Sequence, residues 1–216
     1  MEITGQSAPW SMTTEYNIAP TQQIPVLRYA DGNDWSLSLM RWWLVPSWSP
    51  GPSTKYSMFN AKAETLSTSR AYREPYESRR CILPVSGYYE WRKEGTQKLP
   101  YYIEPEDAPG FALAGLWERW QGQLQGEQQV IESCTIVTTA ATKAMSSVHH
   151  RMPVHFTAEQ SRQWVGAQAS AEELQALLAP ELRTRIRVTP VSTVVNNARN
   201  KDERCIEALG DSQIIQ

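Results

Sequence analysis

The stretch Cys81-Ile82-Leu83-Pro84-Val85-Ser86-Gly87-Tyr88-Tyr89-Glu90-Trp91-Arg92 indicates how this chain is built. Two runs rich in apolar and aromatic residues flank the pair Ser86-Gly87, and runs of this kind bounded by turn-forming residues are typical of β-strands. The pattern predicts strands over 81–85 and 88–92, with a hairpin turn at Ser86-Gly87.

The same strand signals recur along most of the chain. Apolar or alternating runs predict further strands over 24–29, 36–44, 101–104, 111–117, 133–139 and 187–191. Helix signals come later, where Thr157 with Gln160 and Ser170 with Glu173 each fit a capping box before an apolar periodic stretch. Strands first and helices afterwards favour an α+β fold over an alternating α/β fold.

Composition limits the class of protein. A chain of 216 residues with 41% apolar and 20% charged residues suits one globular domain. No apolar run approaches the roughly 20 residues of a membrane span, and the first twenty residues lack a signal-peptide core, so we expect no membrane association and a cytoplasmic location. Cys81, Cys134 and Cys205 form no CxxC motif and are expected to be buried free thiols.

The net charge of −2 is unevenly distributed. From Lys55 to Lys98 there are nine Lys or Arg residues against five Glu, a local excess of +4 that leaves −6 elsewhere. Aromatic rings lie between these cations, at Tyr56, Phe59, Tyr72, Tyr76, Tyr88, Tyr89 and Trp91. Interleaved cations and rings are what single-stranded nucleic acid binding uses, although a solvated charged face over ordinary core aromatics explains the segment equally well.

Glu90 is unusual because it stands between two aromatic residues in a predicted half-buried strand. Burial against rings raises a carboxyl pKa, and such a group can exchange a proton near neutral pH. The alternative is an exposed Glu on the solvent face of the strand.

The three histidines cluster at His149, His150 and His155. Adjacent strand residues point to opposite faces and no Cys or carboxylate stands at a zinc-ligand spacing, so we expect no metal. One His facing a pocket could transfer protons, and the guanidinium of Arg151 beside it could contact a phosphate through two N–H groups. The alternative is a His with a purely structural role.

A third group of candidates follows the proline-rich loop over 46–53. Asn60, Lys62 and Glu64 alternate and would share one face of an extended stretch, although a polar face turned to water would show the same alternation. Trp48, within the loop, is a candidate wedge against DNA bases, whereas either Trp42 or Trp43 is expected in the core, because the two alternate across a strand.

Taken together, five motifs in register resemble the SOS response-associated peptidase (SRAP) family of abasic-site processing proteins. The motifs are Tyr16-Asn17-Ile18-Ala19-Pro20-Thr21, Asn60-Ala61-Lys62-Ala63-Glu64-Thr65 with Thr68-Ser69-Arg70, Gly87-Tyr88-Tyr89-Glu90-Trp91, Val137-Thr138-Thr139-Ala140-Ala141, and His149-His150-Arg151-Met152-Pro153. We therefore expect one α+β domain over 1–216, with a curved or barrel-like mixed β-sheet and helices mainly in the C-terminal third.

The resemblance also implies roles for individual residues. The catalytic residues would be Asn60, Glu90 and His149, and the DNA-binding residues would be Lys62, Arg70, Thr138 and Arg151, in addition to Trp48. Lys62 replaces an arginine that is usual in the family, so a phosphate contact there would keep its charge and lose its bidentate geometry. The implied partner is single-stranded DNA with an abasic site, bound by a monomer without a cofactor.

Family members trap the abasic aldehyde as a thiazolidine through a cysteine at position 2, whereas this chain has Glu2. A carboxylate cannot form the sulfur–carbon bond, so we expect either a chain that begins downstream of the true start, which we favour, or a variant without its nucleophile. The family activity would be an abasic-site crosslink with autoproteolytic peptidase activity. The alternatives are a non-catalytic DNA-binding module and a cysteine hydrolase that pairs Cys134 with His149.

Overall fold

The computed structural model describes residues 14–29 and 34–216. These ranges contain twelve β-strands: Gln23–Tyr29 (β1), Trp35–Trp42 (β2), Asn60–Lys62 (β3), Arg80–Val85 (β4), Tyr88–Glu94 (β5), Gln97–Pro105 (β6), Phe111–Leu124 (β7), Glu127–Ala140 (β8), Arg151–Pro153 (β9), His155–Phe156 (β10), Ile186–Pro190 (β11) and Gln213–Ile215 (β12). They also contain three α-helices: Arg73–Ser78 (α1), Ala158–Val165 (α2) and Ala171–Leu177 (α3).

The larger sheet closes on itself. β7 pairs with β4, β4 with β1, β1 with β2 and β2 with β8, and β8 returns to β7 in an antiparallel hairpin. β3 pairs in parallel with β8, β9 pairs with the last residues of β8, and β10 pairs with β7. The expected α+β class with a barrel-like mixed sheet is confirmed, and two of the three helices lie in the C-terminal third.

The predicted hairpin at Ser86-Gly87 is wrong. β4 belongs to the barrel, whereas β5 pairs with β6 in a second sheet of order β12-β11-β6-β5, so the chain passes from one sheet to the other at this point. A Cβ at Gly87 would lie 2.5 Å from the Tyr102 ring and 2.6 Å from the Ile103 carbonyl oxygen. The glycine is therefore needed because β6 packs against the backbone here.

The two predicted capping boxes are confirmed. The hydroxyl groups of Thr157 and Ser170 accept hydrogen bonds from the third residue of α2 and α3, and the side chains of Gln160 and Glu173 accept from the backbone N–H groups of the cap residues. Each box satisfies two backbone donors that the first helical turn leaves without a partner. The short α1 was not predicted.

A buried arginine joins α1 and α2 to the barrel. Arg80, at the start of β4, donates hydrogen bonds to the carbonyls of Tyr76 and Glu77 at the end of α1, and to those of Trp164 and Gly166 at the end of α2. A cation at these positions interacts favourably with both helix dipoles and satisfies carbonyls that have no helical partner.

Several aromatic residues of the basic segment belong to the core. Tyr76 on α1 and Tyr72 at the N-cap of α1 are buried, while Tyr56 is exposed. The core therefore accounts for part of the alternation between cations and rings. The three cysteines are buried and free, as expected, and within the described ranges no helix is long and apolar enough to span a membrane.

Candidate active site

Glu90 on β5 of the second sheet and His149, just before β9, lie side by side. An oxygen of the Glu90 carboxylate lies 3.4 Å from Nδ1 of His149, and the Glu90 side chain is 23% exposed. The other carboxylate oxygen accepts a hydrogen bond of 3.0 Å from the backbone N–H of Trp91. Two residues that are distant in sequence thus form an acid–base pair that is only partly open to solvent.

Burial changes the pKa of Glu90. Desolvation raises the pKa of Glu90 above its ordinary value of 4.5, while the Trp91 N–H and the nearby His149 and His150 rings oppose the rise. A carboxyl group with a raised pKa holds its proton closer to neutral pH and is suited to general acid–base catalysis. Of the two interpretations of Glu90, the partly buried carboxylate agrees with the structure, and its catalytic role stays a prediction.

His149 is positioned by the turn that precedes β9. Its backbone N–H donates to the Met145 carbonyl at 3.2 Å. Its Nδ1 lies 3.2 Å from both the backbone nitrogen and the carbonyl oxygen of Arg151. Nδ1 can accept from the Arg151 N–H when unprotonated and donate to Glu90 or to the Arg151 carbonyl when protonated. The ring therefore has partners in either protonation state.

The Arg151 side chain is held in a fixed position beside this pair. Its two terminal nitrogens donate to the two carboxylate oxygens of Glu64 at 2.6 and 2.9 Å, and Nη2 also lies 2.6 Å from the carbonyl oxygen of Thr138. The guanidinium holds the pKa of Glu64 below its ordinary value. Thr138 is buried, and its hydroxyl donates to the Ala61 carbonyl at 3.3 Å, so it lies directly beneath Arg151.

Asn60 and Lys62 project from the neighbouring strand. β3 has exposed residues at Asn60 and Lys62 and a buried Ala61 between them, so the two polar side chains share one face, as predicted. The extended stretch ends at Lys62, and Glu64 lies in a 3-10 turn over Ala63–Thr65. Lys62 pairs with Thr138 on β8, which places β3 beside the Arg151 cluster.

Trp48 and Arg70 stack on each other. The Arg70 guanidinium carbon lies 4.1 Å from the centroid of the Trp48 ring, and Trp48 is 52% exposed. The predicted wedge and one predicted phosphate contact are thus direct neighbours, in a geometry typical of a cation–π interaction.

Sequence reasoning missed the contacts that fix the start of the described chain. The Tyr89 hydroxyl donates to the carbonyl of Tyr16, and the Lys201 ammonium donates to the carbonyl of Asn17. Asn17 is buried and its amide donates to the Val195 carbonyl at 3.0 Å. These contacts place the segment after residue 14 beside β5, which carries Glu90. Met1 and Glu2 lie outside the described residues.

Cys134 does not have the surroundings of a nucleophile. It is fully buried on β8, and burial raises the pKa of its thiol well above the ordinary value. A protonated thiol within the core is unreactive, because the thiolate is the nucleophilic form. The structure therefore argues against the Cys134–His149 hydrolase.

Comparison with known proteins identifies close relatives. The sequence model of the SOS response associated peptidase (SRAP) family matches residues 2–198. Abasic site processing protein YoqW of Bacillus subtilis is 36% identical over 195 residues, which cover 89% of this chain and 85% of that protein. Abasic site processing protein HMCES of Xenopus tropicalis is 30% identical over 224 residues, covering 90% of this chain and 66% of that protein.

Solved structures have the same fold. A protein from Bacteroides thetaiotaomicron superposes with a TM-score of 0.75 at 28% identity, covering 87% of this chain and 82% of the other. A phage-related protein from Bordetella bronchiseptica superposes with a TM-score of 0.68 at 27% identity, covering 88% of this chain and 87% of the other.

Proposed function

Because the chain belongs to the SOS response-associated peptidase family, we propose that it processes abasic sites in single-stranded DNA, with Glu90 and His149 as its proton-transfer pair. The observation that carries this proposal is the 3.4 Å approach of a partly desolvated Glu90 to His149 beside the Arg151 cluster. The relatives YoqW and HMCES are themselves named abasic site processing proteins.

DNA would be held by side chains around this pair. Lys62 and Arg70 supply cations, and Arg151 supplies a third beside His149. Such groups contact backbone phosphates, while an exposed ring such as Trp48 stacks against an unpaired base. This division of roles predicts affinity for single strands without strong sequence preference.

The chemistry at an abasic site begins with its ring-opened aldehyde. An amine adds to the aldehyde carbon, a carbon–nitrogen bond forms, and the aldehyde oxygen later leaves as water to give an imine. Glu90 would give a proton to this oxygen and His149 would remove one from the nitrogen, as general acid and base. Asn60 would orient the amine-bearing terminus of the protein.

Residue 2 determines how far the reaction proceeds. A cysteine there would close a ring onto the imine through its thiolate, whereas Glu2 has no sulfur. A protein produced with Met1 as its first residue would therefore form only a reversible imine through its terminal amine, whose ordinary pKa is roughly 7.7 to 8.0. In a protein with a cysteine at position 2, the same Glu90–His149 pair would serve autoproteolysis before that cysteine.

The test uses single-stranded DNA with one abasic site and a denaturing gel. The chain as written should give no stable crosslink, and the Glu2→Cys variant, after removal of its initiator methionine, should give one. Trapping with borohydride should reveal the imine of the chain as written. Absence of covalent product from both proteins under both conditions would refute the proposed chemistry.

A second candidate is a non-catalytic module that recognises abasic or gapped strands, which Glu2 favours. It predicts tight binding of the abasic strand in anisotropy titrations and no borohydride-trapped product on the denaturing gel.

A further inference from the structure

We propose that Glu64 acts as an internal phosphate mimic, which occupies the Arg151 guanidinium in the DNA-free protein and must be displaced before a DNA phosphate binds there. The inference rests on the proposed function and adds a residue that sets the affinity of the same site.

The geometry shows why the two ligands exclude each other. Glu64 takes both terminal nitrogens of Arg151 at 2.6 and 2.9 Å, which is the fork–fork arrangement that phosphate oxygens also use. The remaining side of the guanidinium faces inward, because Nη2 contacts the Thr138 carbonyl at 2.6 Å and Nε is buried without a partner. A phosphate that seeks a bidentate contact therefore has to take the place of the carboxylate.

Exposure shows which partner can move. The Arg151 side chain is 19% exposed and anchored to β8 through Thr138, whereas the Glu64 side chain is 50% exposed on a 3-10 turn. An incoming anion meets Glu64 first. Since the carboxylate and a phosphate are both negative, they repel each other near one guanidinium, and Glu64 can turn outward into water.

The consequence is a lower affinity for DNA than the cations alone would provide. Arg151 is neutralised until Glu64 leaves, so each binding event includes the loss of one ion pair. Exposed ion pairs contribute up to about 1 kcal/mol, which corresponds to about a fivefold change in affinity.

The experiment measures the affinity of Glu64→Gln for a fluorescent single-stranded oligonucleotide by anisotropy at fixed salt. We expect this variant to bind about fivefold more tightly than the wild type. Asp107→Asn is the matched control, because Asp107 forms a bidentate pair with Arg185 at 2.9 and 2.7 Å and is likewise about half exposed. The control should bind like the wild type.

A double-mutant cycle separates the competitor role from any other effect. Adding Glu64→Gln to an Arg151→Gln background should give no gain in affinity, because the guanidinium for which Glu64 and the phosphate compete is then absent. Weaker or unchanged binding by Glu64→Gln, or a gain that persists without Arg151, would overturn the inference while leaving the proposed function intact. Glu64→Ala repeats the comparison if the Gln variant folds poorly. Failure of the wild type and all variants to bind the oligonucleotide would overturn both proposals.

Discussion

Replacement of Glu90 by Gln separates its chemical role from its structural one. Gln has nearly the same shape, and its amide oxygen can still accept the hydrogen bond from the Trp91 N–H, which is 3.0 Å long in the wild type. Because the Trp91 N–H keeps its partner, no buried donor is left unsatisfied by the substitution. The variant loses the ability to donate or accept a proton, and general acid–base catalysis contributes about 10²- to 10⁴-fold to a rate.

The pH dependence of stability has a defined sign. Burial raises the folded-state pKa of Glu90, so the folded protein binds this proton more tightly than the unfolded chain. The stabilisation is complete below the unfolded value of about 4.5 and is lost as the pH rises through the folded pKa. Gln stays neutral throughout. The Glu90→Gln variant should therefore be at least as stable as the wild type at pH 7, and this relative gain should disappear toward pH 4.

The assay is the rate of borohydride-trapped product with abasic single-stranded DNA, alongside urea unfolding at both pH values. We expect the trapping rate to fall about 100-fold or more, which is an increase of about 3 kcal/mol in the barrier, with no loss of stability at pH 7. A trapping rate within threefold of the wild type in a folded variant would refute the role given to Glu90.

Three further changes test other parts of the structure. Arg80→Met removes four hydrogen bonds to helix-terminal carbonyls and should lower the free energy of unfolding by about 3–5 kcal/mol in urea titrations; a change below 1 kcal/mol would contradict this. His155 is buried with its pKa lowered to about 4, so the wild type should lose up to about 3 kcal/mol as the pH falls from 6.5 to 4. His155→Gln, which keeps an acceptor for the Arg183 N–H, should show a shallower pH dependence of unfolding, and equal slopes would count against the assignment. Trp48→Ala should weaken single-strand binding about tenfold in anisotropy titrations, whereas removal of the exposed Leu209 side chain should have no effect.

The pattern of apolar residues along the sequence predicted most of the strands, because each of those strands has a recognisable apolar periodicity of its own. The predicted strands over 111–117 and 133–139 lie within β7 and β8, which extend further into a polar hairpin. Residues 118–132 were not predicted as strand because that arm has few apolar side chains to reveal an inner face. An extended stretch was expected from Asn60 to Glu64, but β3 ends at Lys62 because Ala63–Thr65 form a 3-10 turn.

The sequence did not predict correctly which strand β5 pairs with. The pair Ser86-Gly87 has the composition of a turn, but nothing local tells whether the following strand pairs with β4 or with β6. The requirement for glycine at position 87 comes from the Tyr102 ring, which is distant in sequence.

In the functional site, too, local motifs identified individual residues but not the contacts between residues distant in sequence. The family motifs led to Glu90 and His149, and the structure brings the two side chains within 3.4 Å. The contact between Glu64 and Arg151 joins residues 87 positions apart, so no spacing rule could reveal it. The single domain, the catalytic roles of Asn60, Glu90 and His149, and the DNA contacts stay predictions.

The most direct test of the central claim combines Glu2→Cys with Glu90→Gln on abasic single-stranded DNA. We expect a stable crosslink with Glu2→Cys alone, little or none with the double variant over the same time, and none with the wild-type sequence. Equal crosslinking by the single and double variants would contradict the claim that Glu90 and His149 transfer the protons of the reaction.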